Sequence, residues 1–511
     1  MANQAQPENQ QQLPTSLDGI VALITSSTSP VALAEQLREF SKNRDGEQEL
    51  ILASSLPGGQ EPLEILDVKN HTVGWAFILS ARLAAIASKT IETGVPPLQA
   101  LSHFCENHDP EQAALVPDRM TLFARSLVEY VELSNEHELP ACVPLLLTLL
   151  NRSQGGLATL SPIHALFARL CVRTRNFDVS LPVLRTPITA FSPTHIPSQS
   201  QSQSTASSSS LAGAMVSQPS SERSTAKSHS QKGAGSELLL NYTDHLVYHY
   251  AGGLTFAVLN HWAEAEEFFE IVVTAPIQSV PSAIQLEAMK KLALVQLILY
   301  GKTKELPKYT SSALPRLFRN SPYAALVNAF PLQRRELRAT LDKERSVFEQ
   351  DKNLGLVNLV LTFAPRWCLQ KLTATYSTLS LKEIVEHVGL TDGTAGTAIE
   401  QARELASSMI ANGEIAAELD AEGFVHFADV DPAHVISKEK VERLLRGAQS
   451  HASMLADLDR EVLRSKEFLG KALKNRDDGW GASEDDMMFG GMAEMKGRGH
   501  GMDWAEENLF E

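Results

Sequence analysis

The sequence predicts a mainly α protein: an N-terminal α-solenoid of TPR-like helical repeats, leading into a winged helix, then a long C-terminal helix. Three observations carry that prediction. Leu- and Ala-rich runs with helical spacing recur from about Ser16 to Val183 and again from Leu238, with no strand alternation between them. The stretch Thr375 to Phe427 reads as two short helices followed by a two-stranded wing. After Phe427 a linker leads into a single long apolar stripe, about Lys438 to Lys474.

Within residues 1–190 the helical runs include Val73 to Ile91, Met120 to Leu133 and Ala141 to Leu150. They are separated by breakers such as Gly94-Val95-Pro96-Pro97 and Gly155-Gly156. Helix pairs of this length, joined by short polar connectors, stack because no single pair can bury its apolar face alone. Residues 191–236 change character. From about Ser192 to Gly235 the chain is Ser, Gln, Thr, Pro and Gly, with a serine run at Ser207 to Ser210 and no aromatic residue. With so little to bury, this segment is expected to be a disordered insertion, a passive loop in preference to the alternative of a phosphorylation-rich regulatory segment. Order is expected to resume at Leu238, in a second helical-repeat part covering residues 237–370. There Gly253, Phe256, Ala265, Phe269, Val272 and Pro276 approximate a tetratricopeptide pattern, with the closing proline one place early. Small residues let two helices approach, and the aromatic rings fill the space between them. Helical runs at Ala288 to Leu299 and Ser312 to Phe318 continue the array.

Residues 371–430 carry the winged-helix signature. Ser380 and Glu383 form a capping box ahead of Ile384, Val385 and Val388, and Gly389 supplies the residue that ends the helix. The second helix places Ile399, Ala402, Leu405, Ala406, Met409 and Ile410 at spacings of three and four, and Asn412-Gly413 stops it. Two apolar runs follow, Ile415 to Leu419 and Phe424 to Phe427, joined by the turn Asp420-Ala421-Glu422-Gly423. A winged helix that reads DNA sets its second helix in the major groove with Lys and Arg against phosphates. Here Thr394 to Ala411 carries Glu400, Arg403 and Glu404 and no other charge, so it cannot neutralise a row of phosphates. The fold is better used as a protein-docking unit whose wing strands pair edge to edge. The expected interface residues of the wing are Ile415, Ala417, Leu419, Val425 and Phe427.

The C-terminal helix occupies residues 431–475 and the tail residues 476–511. Val441, Leu445, Ala448, Ala452, Leu455, Leu458, Val462, Leu469 and Leu473 form the stripe, interrupted by Lys466. Leu455, Leu458, Val462, Leu469 and Leu473 are the residues expected to meet partner helices. The tail from Asp477 to Glu511 holds ten acidic and two basic residues, a net of −8 that is half the chain's total of −16. It is expected to be solvated.

The composition excludes several function classes. A net charge of −16 disfavours general affinity for nucleic acid or an anionic membrane. Cys105, Cys142, Cys171 and Cys368 lie far apart with no C-x-x-C spacing, which argues against a disulfide framework and a zinc site and for a reducing compartment. The polar, Gln-rich start, Met1 to Pro14, does not read as a signal peptide, and no apolar run has the length of a membrane span. A soluble intracellular protein is expected. No catalytic, cofactor or metal constellation assembles. His245 and His249 stand at i, i+4, but Leu-Val-Tyr lies between them where a zinc protease needs its glutamate. Gly497, Gly499 and Gly501 sit in the acidic tail with no strand before them to build a phosphate loop. Asn151-Arg152-Ser153 and Asn241-Tyr242-Thr243 match glycosylation acceptors, which mean little in an intracellular chain.

A helical array running into a winged helix, then a C-terminal helix, resembles the PCI-domain family of the proteasome lid, the COP9 signalosome and a translation initiation factor. Within that family the likeness is to the signalosome branch. It is carried by Leu297-Ile298-Leu299-Tyr300-Gly301-Lys302, Leu306-Pro307-Lys308-Tyr309-Thr310-Ser311 and Asp351-Lys352-Asn353-Leu354-Gly355-Leu356-Val357. It continues through Leu372-Thr373, Thr378-Leu379-Ser380-Leu381 and Met409-Ile410-Ala411-Asn412-Gly413-Glu414-Ile415. It covers about Leu238 to Phe427, and the Ser/Gln insertion and the Gly/Met-rich acidic tail depart from it. The resemblance implies a non-catalytic scaffold in the cytoplasm and nucleus, in a complex that removes the ubiquitin-like protein NEDD8 from cullin-RING ligases. It also implies other signalosome PCI subunits as partners, subunits 1 and 8 beside it, and entry of its C-terminal helix into a shared bundle. No cofactor, membrane or direct nucleic-acid contact is expected. A paralogous lid subunit, or a PCI protein of an mRNA-export complex, is the alternative.

Overall fold

The structure, a computed structural model, describes residues 16–41, 47–56, 59–88, 98–134, 136–192, 238–277, 280–332, 334–390, 395–428, 438–464 and 468–469. The Ser/Gln insertion after Ser192, the acidic tail and Leu473 of the expected stripe lie outside the described residues. The chain divides into two units, Met1–Ile436 and Ser437–Glu511.

The first unit opens with α1 (Leu17–Ser26), α2 (Pro30–Ser41), α3 (Glu47–Ala53), α4 (Pro62–Ile65) and α5 (Thr72–Ala87). It continues through α6 (Leu98–Asn107), α7 (Pro110–Leu115), α8 (Pro117–Ser134), α9 (Cys142–Arg152), α10 (Pro162–Thr174) and α11 (Phe177–Arg185). Helix α5 is apolar around nearly its whole circumference, so neighbours enclose it: Val73, Phe77, Ile78, Leu79 and Leu83 are fully buried. Its indole Trp75 donates to the Leu66 carbonyl at 2.9 Å, and its one charge, Arg82, pairs with Glu61 and donates to the Ser54 carbonyl at 3.0 Å. Buried charges elsewhere are likewise paired, Arg38 with Asp118 at 2.9 Å and Arg119 with Glu49 at 2.5 Å. Two-residue strands β1 (Thr159–Leu160) and β2 (Ala190–Phe191) pair in parallel beside this array.

After the insertion come α12 (Tyr242–Val258), α13 (Trp262–Thr274) and α14 (Ala283–Tyr300). The tetratricopeptide-like residues do what their types suggest. A Cβ on Gly253 would stand 2.7 Å from the Phe269 ring, so glycine lets α12 and α13 close on each other, while Phe256, Ala265, Phe269 and Val272 fill the joint. Glu266, buried on α13, accepts from Gln296 at 3.0 Å and Tyr300 at 2.6 Å on α14, and from Lys304 at 3.0 Å beyond it. Next are α15 (Ala313–Arg319), α16 (Pro322–Ala329), α17 (Arg334–Gln350) and α18 (Leu354–Thr373). Helix α14 ends at Gly301, whose φ of +66° is left-handed; the Trp367 ring of α18 lies where a Cβ would be, and its indole donates to the Ile298 carbonyl at 3.1 Å.

Helix α18 belongs to two cores. Val357, Val360 and Ala364 pack with α14, α16 and α17, while Cys368, Leu369 and Leu372 pack into the winged helix. The latter comprises β3 (Thr378–Ser380), α19 (Leu381–Val388), α20 (Ala395–Ala411), β4 (Ala417–Leu419) and β5 (Phe424–Phe427). Its sheet has three strands in the order β3-β5-β4, not the two expected, because Thr378–Ser380 just before the capping box pairs antiparallel with β5. The second unit is described by α21 (Lys438–Arg464) with helical residues at Phe468 and Leu469.

Candidate protein interface

The winged helix is built as its local chemistry dictates. The Ser380 hydroxyl accepts from the Glu383 amide at 3.3 Å, and the Glu383 carboxylate accepts in return from the Ser380 amide at 2.8 Å. These hydrogen bonds from Ser380 hold the Glu383 carboxyl below its usual range. Gly389 closes α19 at φ +73°. Helix α20 turns Ala398, Ala402, Ala406 and Met409 inward and exposes Glu400, Gln401, Glu404 and Ser407. Its one cation, Arg403, lies 4.0 Å from Glu400, so the exposed face is acidic and unsuited to a phosphate backbone.

The hydrogen-bond phase of β4 decides what that strand offers. The Ala428 amide donates to the Ala416 carbonyl at 2.9 Å, and the Asp420 amide to the Phe424 carbonyl at 2.8 Å. Bonded and non-bonded pairs alternate in an antiparallel ladder, so Glu418 faces its partner His426, and Ala417 and Leu419 turn their amides and carbonyls outward. The other side of β5 is occupied by β3, where Phe427 donates to the Ser377 carbonyl at 2.8 Å. Among the described residues no hydrogen bond closes the outer edge of β4. Beside it Ser407, Ile410 and Ala411 of α20 and Ala417, Glu418 and Leu419 line an open groove of about 500 Å³. An added strand would bond Ala417 and Leu419 and set alternate side chains onto Ile410 and Ala411. Between α20 and β4, Glu414 is joined to Arg366 of α18 by a two-pronged ion pair at 2.6 and 3.2 Å.

The second unit presents a different kind of surface. A helix of 27 residues is about 40 Å long at 1.5 Å per residue. Val441, Leu445, Leu455, Val462 and Leu469 are exposed, and Leu458 is half-buried. Leu444, Leu463 and Phe468, outside the expected stripe, are exposed as well. Val441, Ala448, Leu455, Val462 and Leu469 recur every seven residues, with Leu444 and Leu458 at the intervening positions, which is the period of a helix-bundle seam.

The family model described as "COP9 signalosome complex subunit 3, N-terminal helical repeats" matches residues 34–205 and 233–314, and the model described as "PCI domain" matches residues 341–429. The chain is 27% identical to COP9 signalosome complex subunit 3 of Drosophila melanogaster over 465 residues, 90% of this chain and 94% of the relative. It is 26% identical to COP9 signalosome complex subunit 3 of Dictyostelium discoideum over 435 residues, 83% of this chain and 90% of the relative. The chain belongs to the COP9 signalosome subunit 3 family. Its helical repeats and PCI domain are the two parts the family models describe, and the open edge of β4 lies within the second.

The residues expected in the wing divide into two groups. Ile415, Val425 and Phe427 are buried in the winged-helix core, so their side chains are not available to a partner, a correction to the sequence reading. The cause is strand alternation: β5 points Val425 and Phe427 inward, and Phe424 and His426 outward. Ala417 and Leu419 stay half-buried beside the groove. Phe424, 40% exposed, is the large apolar side chain on the outer sheet face that the sequence reading missed; its signal was its place one residue from the inward Val425. His245 and His249 do share a face, with ring centroids 4.4 Å apart. Burial lowers His245 to about 3 and His249 to about 4, so both rings are neutral at ordinary pH. Among the described residues no three His, Cys, Asp or Glu side chains gather as a metal ion would need.

Proposed function

We propose that this chain is a non-catalytic scaffold of the COP9 signalosome, joining other PCI subunits through the open edge of β4. The names of the two relatives support the complex, and the unbonded outer amides of Ala417 and Leu419 are the observation that carries the mode of joining. In this reading subunits 1 and 8 are the neighbours, and the seven-residue seam of α21 enters a bundle built from the last helices of several subunits. The protein works in the cytoplasm and nucleus. It supports removal of NEDD8 from cullin-RING ligases by holding in place a catalytic centre that lies in a different subunit. The acidic outer face of α20 favours this over a nucleic-acid complex. The test is purification of the tagged full-length chain from cells, with its partners identified and cullin deneddylation assayed on the recovered complex. Signalosome subunits and deneddylation are the expected result; proteasome-lid subunits or an mRNA-export complex in their place would overturn the proposal.

A further inference from the structure

The charge of this chain is unevenly spread. Residues 302–343 hold nine basic and three acidic side chains, a net of +6 within a total of −16. The first part of that segment, the loop after Gly301 and helix α15, is fixed onto the protein from beneath. Leu314 is fully buried, and Leu306 and Phe318 pack against the repeat core. Lys304 anchors the loop's start, since its side chain reaches Glu266, its amide donates to the Gln296 carboxamide at 3.0 Å, and its ammonium lies 3.9 Å from the centre of the Tyr300 ring. The Thr310 amide donates to the Pro307 carbonyl at 2.9 Å, so Lys308 and Tyr309 form the tip of a tight turn.

Pointing outward are Lys302, Lys308, Tyr309, Arg316, Leu317 and Arg319, all exposed, with Glu305 the one exposed carboxylate of this stretch, so cations outnumber it four to one. Arg316 and Arg319 lie one turn apart on α15, so they share a face. Unlike Lys304, none of these four cations has an acidic partner among the described residues. Tyr309 is 77% exposed and Leu317 46%, so an aromatic ring next to Lys308 in the chain and an aliphatic side chain next to Arg316 are open to solvent.

We propose that this surface binds a short acidic peptide segment bearing apolar side chains, supplied by a partner protein. Carboxylates would pair with Lys308, Arg316 and Arg319, and an apolar side chain would cover Tyr309 and Leu317. The charge pattern selects a short segment over a nucleic acid. A phosphate backbone long enough to release several counterions would run off this small patch onto an acidic protein. This surface is separate from the β4 edge, so the two readings stand or fall independently.

The test is fluorescence anisotropy on the full-length chain with a labelled peptide of about twelve residues, alternating Asp and Glu with two Phe. An oligouridylate of equal length is the competing probe. The acidic peptide is expected to bind and to weaken as salt rises past about 0.1 M, where exposed charges are screened. The charge-reversed variant Lys308→Glu, Arg316→Glu, Arg319→Glu should lose at least about tenfold in affinity. Tyr309→Ala should lose about threefold while keeping the parent's salt dependence, because it removes apolar contact and no charge. All four side chains are exposed, so melting temperatures should match the parent, and co-purification of subunits joined through the β4 edge should be unchanged. The proposal is overturned if the acidic peptide does not bind, if the charge-reversed variant binds it as the parent does, or if the oligouridylate binds more tightly.

Discussion

Proline at position 417 separates docking from folding. The Ala417 amide faces the open edge and bonds nothing within the chain, so Ala417→Pro removes a donor that the isolated protein does not use. An added strand would use it. Its loss leaves one carbonyl of the incoming strand without a partner, about 1–3 kcal/mol, or roughly 5- to 150-fold in affinity. Glu418→Pro, one residue along, provides the contrast. Glu418 faces His426 inside the ladder, so proline there breaks a bond the protein does use and should lower its own stability by about 1–3 kcal/mol. The assay is paired: a thermal melt of each full-length variant, and co-elution with reconstituted partner subunits. Ala417→Pro should melt like the parent and lose partners, whereas Glu418→Pro should melt early. Full partner retention by an Ala417→Pro protein of unchanged melting temperature would refute strand addition at β4.

Truncation after Asn475 should leave assembly intact, and truncation before Val441 should release the protein from its complex, since each leucine buried from the α21 stripe is worth roughly 1.5–3 kcal/mol; a lower melting temperature with partners retained would show that the stripe serves the chain itself. Gly301→Ala should cost about 2–4 kcal/mol by denaturant unfolding, because the left-handed φ and the Trp367 ring 2.6 Å from the new Cβ both oppose it; a loss below about 0.5 kcal/mol would mean that the α14–α18 crossing is loose. Burial lowers His164 and His249 from 6.5 to about 4 and His245 to about 3. The unfolded chain therefore takes up protons first, and stability should hold above about pH 6.5 and fall progressively as pH drops towards 4. Denaturant melts at pH 7 and pH 5 check this, and equal midpoints would contradict it.

Local rules carried much of this fold in the sequence. Ser380 with Glu383, and Gly389 after Val388, specify a helix start and stop within a few residues of each other, and both occur as read. Gly253 and Phe269 foretold a close helix pair because a small residue opposite a ring has few other uses. The interface was less legible. Apolar side chains in short strands serve a core and a partner equally well, so Ile415, Val425 and Phe427 could not be told from surface residues by type. Strand β3 has three residues, too few to show a period, yet its place beside β5 makes β5 the central strand and leaves β4 at an edge. Helix α14 gave little directional signal because both of its faces are covered: Leu292 and Val295 serve the repeat core, and Leu294 and Leu297 the next one.

Helix α18 also bears on how such a chain can be inherited. Val357, Val360 and Ala364 belong to one core and Cys368, Leu369 and Leu372 to another, with Trp367 fastened to α14 between them. A recombination joint placed at the start of the wing would strand those last three side chains in the donor and leave the recipient's sheet without its floor. A joint ahead of Leu354 would in turn part Val357, Val360 and Ala364 from α14, α16 and α17, so the closing repeats and the wing keep both cores only when they are inherited together.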